Sequence, residues 1–372
     1  MKIVFVNKSD RVGGAAVACR RLHTAIVKSG TDSKLLVQEK TDDDPTVIAV
    51  GSGFWKKKKD FLLFVIERLY FLFYEASKEI RYAFSPAVAG ENIHKNTLIK
   101  NADIVHIHWF NQGYLSLKNL KALLIQQKKM QILKGANITF VTSSHWLKRE
   151  ADKSMLLKDF RVLSIPIPID ANVFYTADKY SIRKKLSLPK NKKLILFAAA
   201  NISDKRKGLD YLLQALKLIE DNNLNFADIE ILTFGKFDAA AFYNLSFKVY
   251  NLGVISEAEK IAEVYNAADL FAIPSLEDNL PNTIIESLAC GTPVLAFNSG
   301  GMPEMVDHKI NGYVAEYKSV DDLKNGIEFI INHPDAELLG KNAVEKAQQA
   351  YSEKGVAEKY KKVYKEILNQ QV

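Results

Sequence analysis

Short, uninterrupted apolar runs alternate with helix-spaced stretches along most of this chain, and that alternation restricts it to an α/β fold built on parallel sheets. A strand covered by helices on both faces has no polar side to show, so it reads as a continuous apolar run. In the second half such runs occupy residues 194–200, 229–234, 249–252, 270–274, 293–297 and 313–315, with helical spacing between them, as at 209–219 and 256–267. This predicts a doubly wound, Rossmann-like sheet. The first half opens the same way, with a strand at 2–6, a loop carrying Gly13 and Gly14, and a helix from about Ala15 to Lys28 with Val17, Leu22 and Ile26 on one face. Apolar runs at 103–109 and 136–142 continue the pattern.

The chain has 372 residues, more than one domain of ordinary size needs. Pro166 and Pro168 forbid regular helix, and the polar stretch 176–193 reads as the interdomain connection. The expected domains are therefore 1–168 and 169–350, with a C-terminal helix, 351–372, packing back on the first. Residues 336–371 carry helical spacing without strands and predict two helices. Two open α/β domains facing each other would bring the carboxyl ends of both sheets to a central cleft, where such folds bind ligands.

Composition excludes more than it identifies. With 48% hydrophobic and 25% charged residues, the chain is neither disordered nor fibrous. Cys19 and Cys290 are too few for a disulfide framework or a cysteine-rich zinc site. Met1 leads straight into an apolar strand, with no basic segment and apolar core of a secretion signal, so a cytoplasmic location is expected. A formal charge of +8 suits an anionic partner. The basic residues are dispersed rather than interleaved with stacking aromatics, which argues against nucleic acid. Asp42, Asp43 and Asp44, directly before Pro45, read as a solvated turn, and no metal site is expected.

The most informative stretch runs from Pro274 to Pro293: strand end, loop, helix, glycine stop, strand. Its loop sets Glu277 and Asp278 beside amides at the positive end of a helix, where carboxylates can take vicinal hydroxyls and amides a phosphate. In this stretch the sequence resembles the family 4 retaining glycosyltransferases of the GT-B fold. Their signature is an acidic residue, seven residues, then Glu, and Asp278 and Glu286 stand at that spacing, followed by Ala289, Cys290, Gly291, Thr292 and Pro293 in the matching context. The resemblance implies that Asp278 contacts the donor sugar, that Asn279 and Leu280 lie beside it with their amides, and that Glu286 holds the nucleotide ribose. Thr283 belongs to the same donor-binding run. A competing reading takes Thr283 and Glu286 as a capping box, and Glu277 is one residue out of register with Asp278's role.

Lys205, Arg206, Lys207 and Gly208 follow the first strand of the second half and open a helix. The family places a basic pair there on the donor diphosphate. Lys207 matches the lysine before glycine, and Arg206 substitutes for an arginine the family sets earlier. Cations here offset charge on the leaving group. Ser299, Gly300, Gly301, Met302, Pro303 and Glu304 form a second glycine loop that serves either a ligand or a simple turn. Gly13 and Gly14 have the corresponding place near the diphosphate in the first domain. His108, at a strand end, resembles a histidine that some relatives set beside the donor sugar, and packing accounts for it equally well. His106 reads as buried, and His145 ranks below both.

The resemblance implies an enzyme that moves a sugar from a nucleotide-diphosphate donor to a hydroxyl of a glycan or lipid-linked acceptor, retaining, without metal and with the sugar nucleotide as co-substrate. A sugar-nucleotide epimerase and a non-catalytic nucleotide-sugar or membrane-associated subunit are the alternatives. Residues 55–74 join four lysines to an aromatic-rich helix that suits either an anionic membrane surface, which would make the protein peripheral on its inner face, or packing on its own domain. Against the family pattern the first domain is short near 125–134, where a strand, a histidine loop and a helix are expected.

Overall fold

Valine, isoleucine and phenylalanine open the chain as β1 (Lys2–Ser9), whose residues from Ile3 to Val6 are buried. The computed structural model describes residues 1–72, 93, 96–108, 138–221, 228–236, 242 and 246–369. The short segment near 125–134, Trp109 and residues 73–74 lie outside them. The chain divides into two compact units. Unit 1 is Met1–Val141, Ala151–Leu163 and Val356–Val372; unit 2 is Thr142–Glu150 and Ser164–Gly355.

In unit 1, β1 is followed by α1 (Gly14–Lys28), β2 (Asp32–Glu39), β3 (Val47–Ala49), α2 (Phe54–Leu72), α3 (Thr97–Lys100) and β4 (Ile104–Ile107). The strands form a parallel sheet in the order β3-β2-β1-β4. The chain thus builds outward from β1 to β3 and then returns to the other side of β1. The switch in direction lies at β1 and β4, and ligands of open α/β sheets bind at the carboxyl ends of such strands. A two-stranded sheet follows, from β5 (Thr139–Thr142) and β6 (Arg161–Ser164), with α4 (His145–Lys153) between them.

Unit 2 continues with α5 (Lys179–Lys185), β7 (Lys193–Asn201), α6 (Leu209–Asp221), β8 (Ile229–Lys236), β9 (Val249–Asn251), α7 (Ala258–Ala267), β10 (Leu270–Ile273), α8 (Asn282–Ala289), β11 (Val294–Phe297), β12 (Gly312–Ala315), α9 (Val320–Ile331) and α10 (Ala336–Tyr351). The last helix, α11 (Glu353–Asn369), passes into unit 1 at Val356. The six strands are parallel, in the order β12-β11-β10-β7-β8-β9. Here the switch lies between β7 and β10.

The continuous apolar runs have the cause expected of them. Along β7, Leu194, Leu196 and Ala198 enter one buried cluster while Ile195 and Phe197 enter another. β10 and β11 divide likewise, with Phe271, Ile273, Val294 and Ala296 on one face and Leu270, Ala272, Leu295 and Phe297 on the other. Alternate side chains leave opposite faces of a strand, so both must be apolar when helices cover both.

Two expectations need correction. The segment 142–150, read as part of the first domain, belongs to unit 2. The polar stretch 176–193 is no connection, since it contains α5 and Arg183 is 2% exposed. The Arg183 guanidinium donates to the carbonyls of Ala267 (2.8 Å) and Lys192 (2.9 Å) and to the Asp269 carboxylate at 2.6 Å. Asp269 also accepts from the Leu194 amide at 2.7 Å. Burial alone would push its carboxyl up, but the charges of Lys179 and Arg183 outweigh that and hold it below the usual range.

Candidate functional site

Three loops meet at the switch point of unit 2, each following the carboxyl end of a strand. The loop after β7 makes one 3-10 turn over Lys205–Lys207, capped by the Asp204 side chain on the Arg206 amide. Gly208 then adopts φ 71°, and a Cβ there would stand 1.9 Å from the Pro274 carbonyl oxygen, so only glycine lets this loop lie on the end of β10. The Leu276 amide completes the contact on the Arg206 carbonyl at 2.8 Å.

This close approach brings Lys207 to Asp278. The ammonium donates to the carboxylate at 2.6 Å, the two side chains being 32% and 20% exposed. Arg206 lies apart from this pair: its guanidinium grips Asp204 through two bonds, at 3.1 and 2.7 Å, and is largely exposed. The Asp204 bonds raise its pKa. Glu277 is exposed.

The third loop, after β11, is more than a turn. Gly300, at φ 60°, would put a Cβ 1.8 Å from the Asp278 carbonyl oxygen, and the Gly301 amide donates to that oxygen at 3.2 Å. These glycines form a floor under the loop that carries Asp278 and Asn279.

Asn279 is held by two residues that the sequence did not single out. Its amide nitrogen donates to Ser143 Oγ at 2.8 Å, and its oxygen accepts from Ser144 Oγ. Directly after the serines, the Glu304 carboxylate accepts the first amides of α4, from His145 at 2.7 Å and Trp146 at 2.5 Å. An acidic group at a helix start is favourable. These contacts account for residues 142–150 joining unit 2. A serine directly before a helix was the available signal for Ser144; Glu304 had no local one.

Leu280 is buried, and Pro281 caps α8 without a side-chain bond. Thr283 is therefore the second residue of the helix rather than its cap, and the capping-box reading falls. Glu286, one turn further, is 7% exposed and accepts from the Tyr265 hydroxyl at 3.3 Å. α8 thus combines an N-terminus without a side-chain cap, suited to an anion, with a buried carboxylate one turn in.

In unit 1, the switch point carries Gly13 and His108. Ser9 Oγ accepts from the Val12 amide at 3.1 Å, and Gly13, at φ 88°, offers its carbonyl to Ala16 and Val17, so that Gly14 begins α1. His108 follows β4, its amide donating to the Val6 carbonyl at 2.9 Å. Its ring is half-buried, which lowers its pKa to about 4. His106 is half-buried as well, stacks on Phe5 at 4.6 Å and meets the Tyr364 hydroxyl at 2.7 Å through Nδ1.

The aspartates at 42–44 are not a solvated turn. Asp42 pairs with Arg11 and Arg20, both at 3.0 Å, and Asp44 with Arg20 at 2.6 Å. Buried Asp10 accepts the Thr41 and Asp42 amides. This ordered loop edges a cavity of about 910 Å³ in unit 1, which Lys8, Lys40, Lys56, Lys57, Phe61 and Phe64 help to line. Among the described residues no His, Cys, Asp or Glu side chains cluster as a metal site.

Residues 178–350 match the family model described as glycosyl transferases group 1. An uncharacterized glycosyltransferase of Haemophilus influenzae is 21% identical over 368 residues, covering 96% of this chain and 98% of its own. The Escherichia coli UDP-Gal:alpha-D-GlcNAc-diphosphoundecaprenol alpha-1,3-galactosyltransferase is 22% identical over 71% of this chain and 69% of its own length. The structure of a sucrose-phosphate synthase from Thermosynechococcus elongatus superposes with a TM-score of 0.68 at 20% identity, covering 100% of both chains. The fold is GT-B.

Proposed function

We propose that this chain, whose residues 178–350 match the model described as glycosyl transferases group 1, transfers a sugar from a nucleotide-diphosphate donor to a hydroxyl, with retention and without metal. The observation that carries this reading is the Lys207–Asp278 pair, set on glycine-locked loops at the switch point of unit 2. The Asp278 carboxylate pairs with the lysine that a diphosphate would take. Donor phosphate displaces it, Lys207 and the N-termini of α6 and α8 hold the diphosphate, and Asp278 turns to the sugar hydroxyls. Arg206 adds charge once it leaves Asp204, and Thr283 lies in the first turn of α8. Glu286 takes the ribose hydroxyls.

Charge building on the leaving diphosphate strengthens the Lys207 contact in the transition state, so the lysine acts on rate as well as on binding. Asn279, clamped by Ser143 and Ser144, fixes the loop that bears Asp278 and Leu280. In unit 1, His108, whose pKa burial lowers to about 4, and the Gly13–Gly14 helix start stand at the switch point of their own sheet. The acceptor is a glycan or lipid-linked hydroxyl compound; the E. coli relative, by its name, uses a diphosphoundecaprenol-linked sugar.

The test is a panel of nucleotide sugars measured by calorimetry and by release of free nucleotide, with and without EDTA. Saturable binding of one donor, indifferent to EDTA and lost in Glu286→Ala, is expected. Binding that EDTA abolishes removes metal independence, and no binding by any donor removes the reading.

A further inference from the structure

The helix α2 carries its apolar face outward. Its charged pair lies on the domain side: Lys56 and Asp60 meet at 2.5 Å with side chains only 14% and 20% exposed, and the Lys56 stem runs against Gly51. Phe64, half-buried, takes the Lys8 ammonium over its ring at 5.6 Å. On the solvent side Trp55 is 79% exposed, Leu62 58%, Ile66 43% and Leu69 53%, with Phe54 and Phe61 flanking them at 66% and 68%. Positions 55, 62, 66 and 69 fall on one stripe of a helix, and the row is about 21 Å long. Contiguous apolar surface of this kind marks an interaction site.

We propose that α2 lies in the surface of an anionic lipid bilayer. Lys58 and Lys59 crown one end of the stripe, and the Lys58 ammonium sits over the Phe54 and Trp55 rings at 4.5 and 5.4 Å. Lysines beside aromatic and aliphatic side chains match the headgroup and acyl layers of such a surface. A second copy is a poorer occupant, because the exposed positions of α2, among the described side chains, carry no acidic residue to pair with buried lysines. No described helix is long and apolar enough to cross a membrane, so the contact is interfacial. The underside of α2 supplies Lys56, Asp60 and Phe64 to the 910 Å³ cavity, which docking therefore sets at headgroup level. That places a lipid-carried acceptor at the cavity, a step that rests on the proposed glycosyl transfer; the docking itself does not.

Full-length protein is mixed with vesicles of phosphatidylcholine alone or with 30 mol% phosphatidylglycerol, and partition is read by flotation and by shielding of tryptophan from acrylamide. Binding only to the anionic vesicles is expected. Lys58→Ala with Lys59→Ala should weaken it about 30-fold, at about 1 kcal/mol per lysine, and Leu62→Ser with Ile66→Ser at least tenfold, with circular dichroism unchanged. Absent or charge-independent binding overturns the proposal. So does a wild-type dimer that Leu62→Ser with Ile66→Ser turns into monomer. Calorimetry with nucleotide sugars on the same samples reports the donor site separately, so either reading can fail while the other stands.

Discussion

At the scale of single residues, the proposed assignments in the loops after β7, β10 and β11 rest on which side chain reaches which. Lys207 reaches Asp278 while Arg206 is occupied by Asp204 and exposed, so the two cations of one tripeptide are not equivalent. Lys207→Ala should lower kcat/KM by about 10² to 10³, the range for losing one group that stabilises transition-state charge, while Arg206→Ala costs less. Steady-state kinetics with the donor found in the panel checks both. Asp278→Asn and Glu277→Gln, compared under the same conditions, decide the register: the first should impair turnover and the second should not. The spacing of Asp278 and Glu286 was legible in the sequence because both lie on one strand-loop-helix unit. Ser144 and Glu304 were not legible, since they act on Asn279 and α4 from 135 residues and 159 residues away along the chain.

At the scale of elements, long apolar runs were readable and short ones were not. β7, β8, β10 and β11 declared themselves because both their faces are buried. β2 has only Leu35, Leu36 and Val37 in an otherwise polar segment and was passed over, as were β3 and β6. β2 is a strand because β1 pairs with it from Lys2↔Asp32 to Ser9↔Glu39, a ladder that no local pattern announces. α4 depends in the same way on a distant group, the Glu304 carboxylate on its first amides. Glu304→Ala should destabilise unit 2 by about 1 to 2 kcal/mol, the range for a lost helix cap, and Glu304→Gln by less, because its amide oxygen still accepts one bond. Chemical denaturation followed by circular dichroism measures the difference.

At the scale of the whole molecule, the two units differ in how they meet acid. Burial lowers His23 to about 4, His106 to about 3 and His108 to about 4, and all three belong to unit 1. Above pH 6.5 these rings are neutral folded or unfolded, and their contribution is complete. As pH falls from 6.5 towards 4 the unfolded chain takes protons that the folded unit refuses, so stability is lost, up to about 2 kcal/mol for each ring at pH 5. In unit 2, Asp269 is held below its ordinary value and surrenders stability only when pH falls beneath the usual carboxylate range. Between pH 7.5 and 5, unit 1 should therefore melt ahead of unit 2 in calorimetry. His23 is fully buried against the edge of Phe5, so His23→Leu should raise the pH 5 Tm of unit 1 by about 4 to 8 °C relative to wild type.

The sequence by itself determined that this is an α/β protein with two Rossmann-like sheets, and where its Asp278–Glu286 motif stands, because both are written in local periodicity and in spacing along one supersecondary unit. Only the tertiary structure decided that residues 142–150 join unit 2, that Arg183 is a buried hub and that Lys207 rather than Arg206 meets Asp278. Each of these depends on a close approach between segments remote in sequence, and around Asp278 and Asn279 the glycines at Gly208, Gly300 and Gly301 make that approach possible. A hydrogen bond or ion pair formed across such a distance leaves no period in the chain from which it could be read.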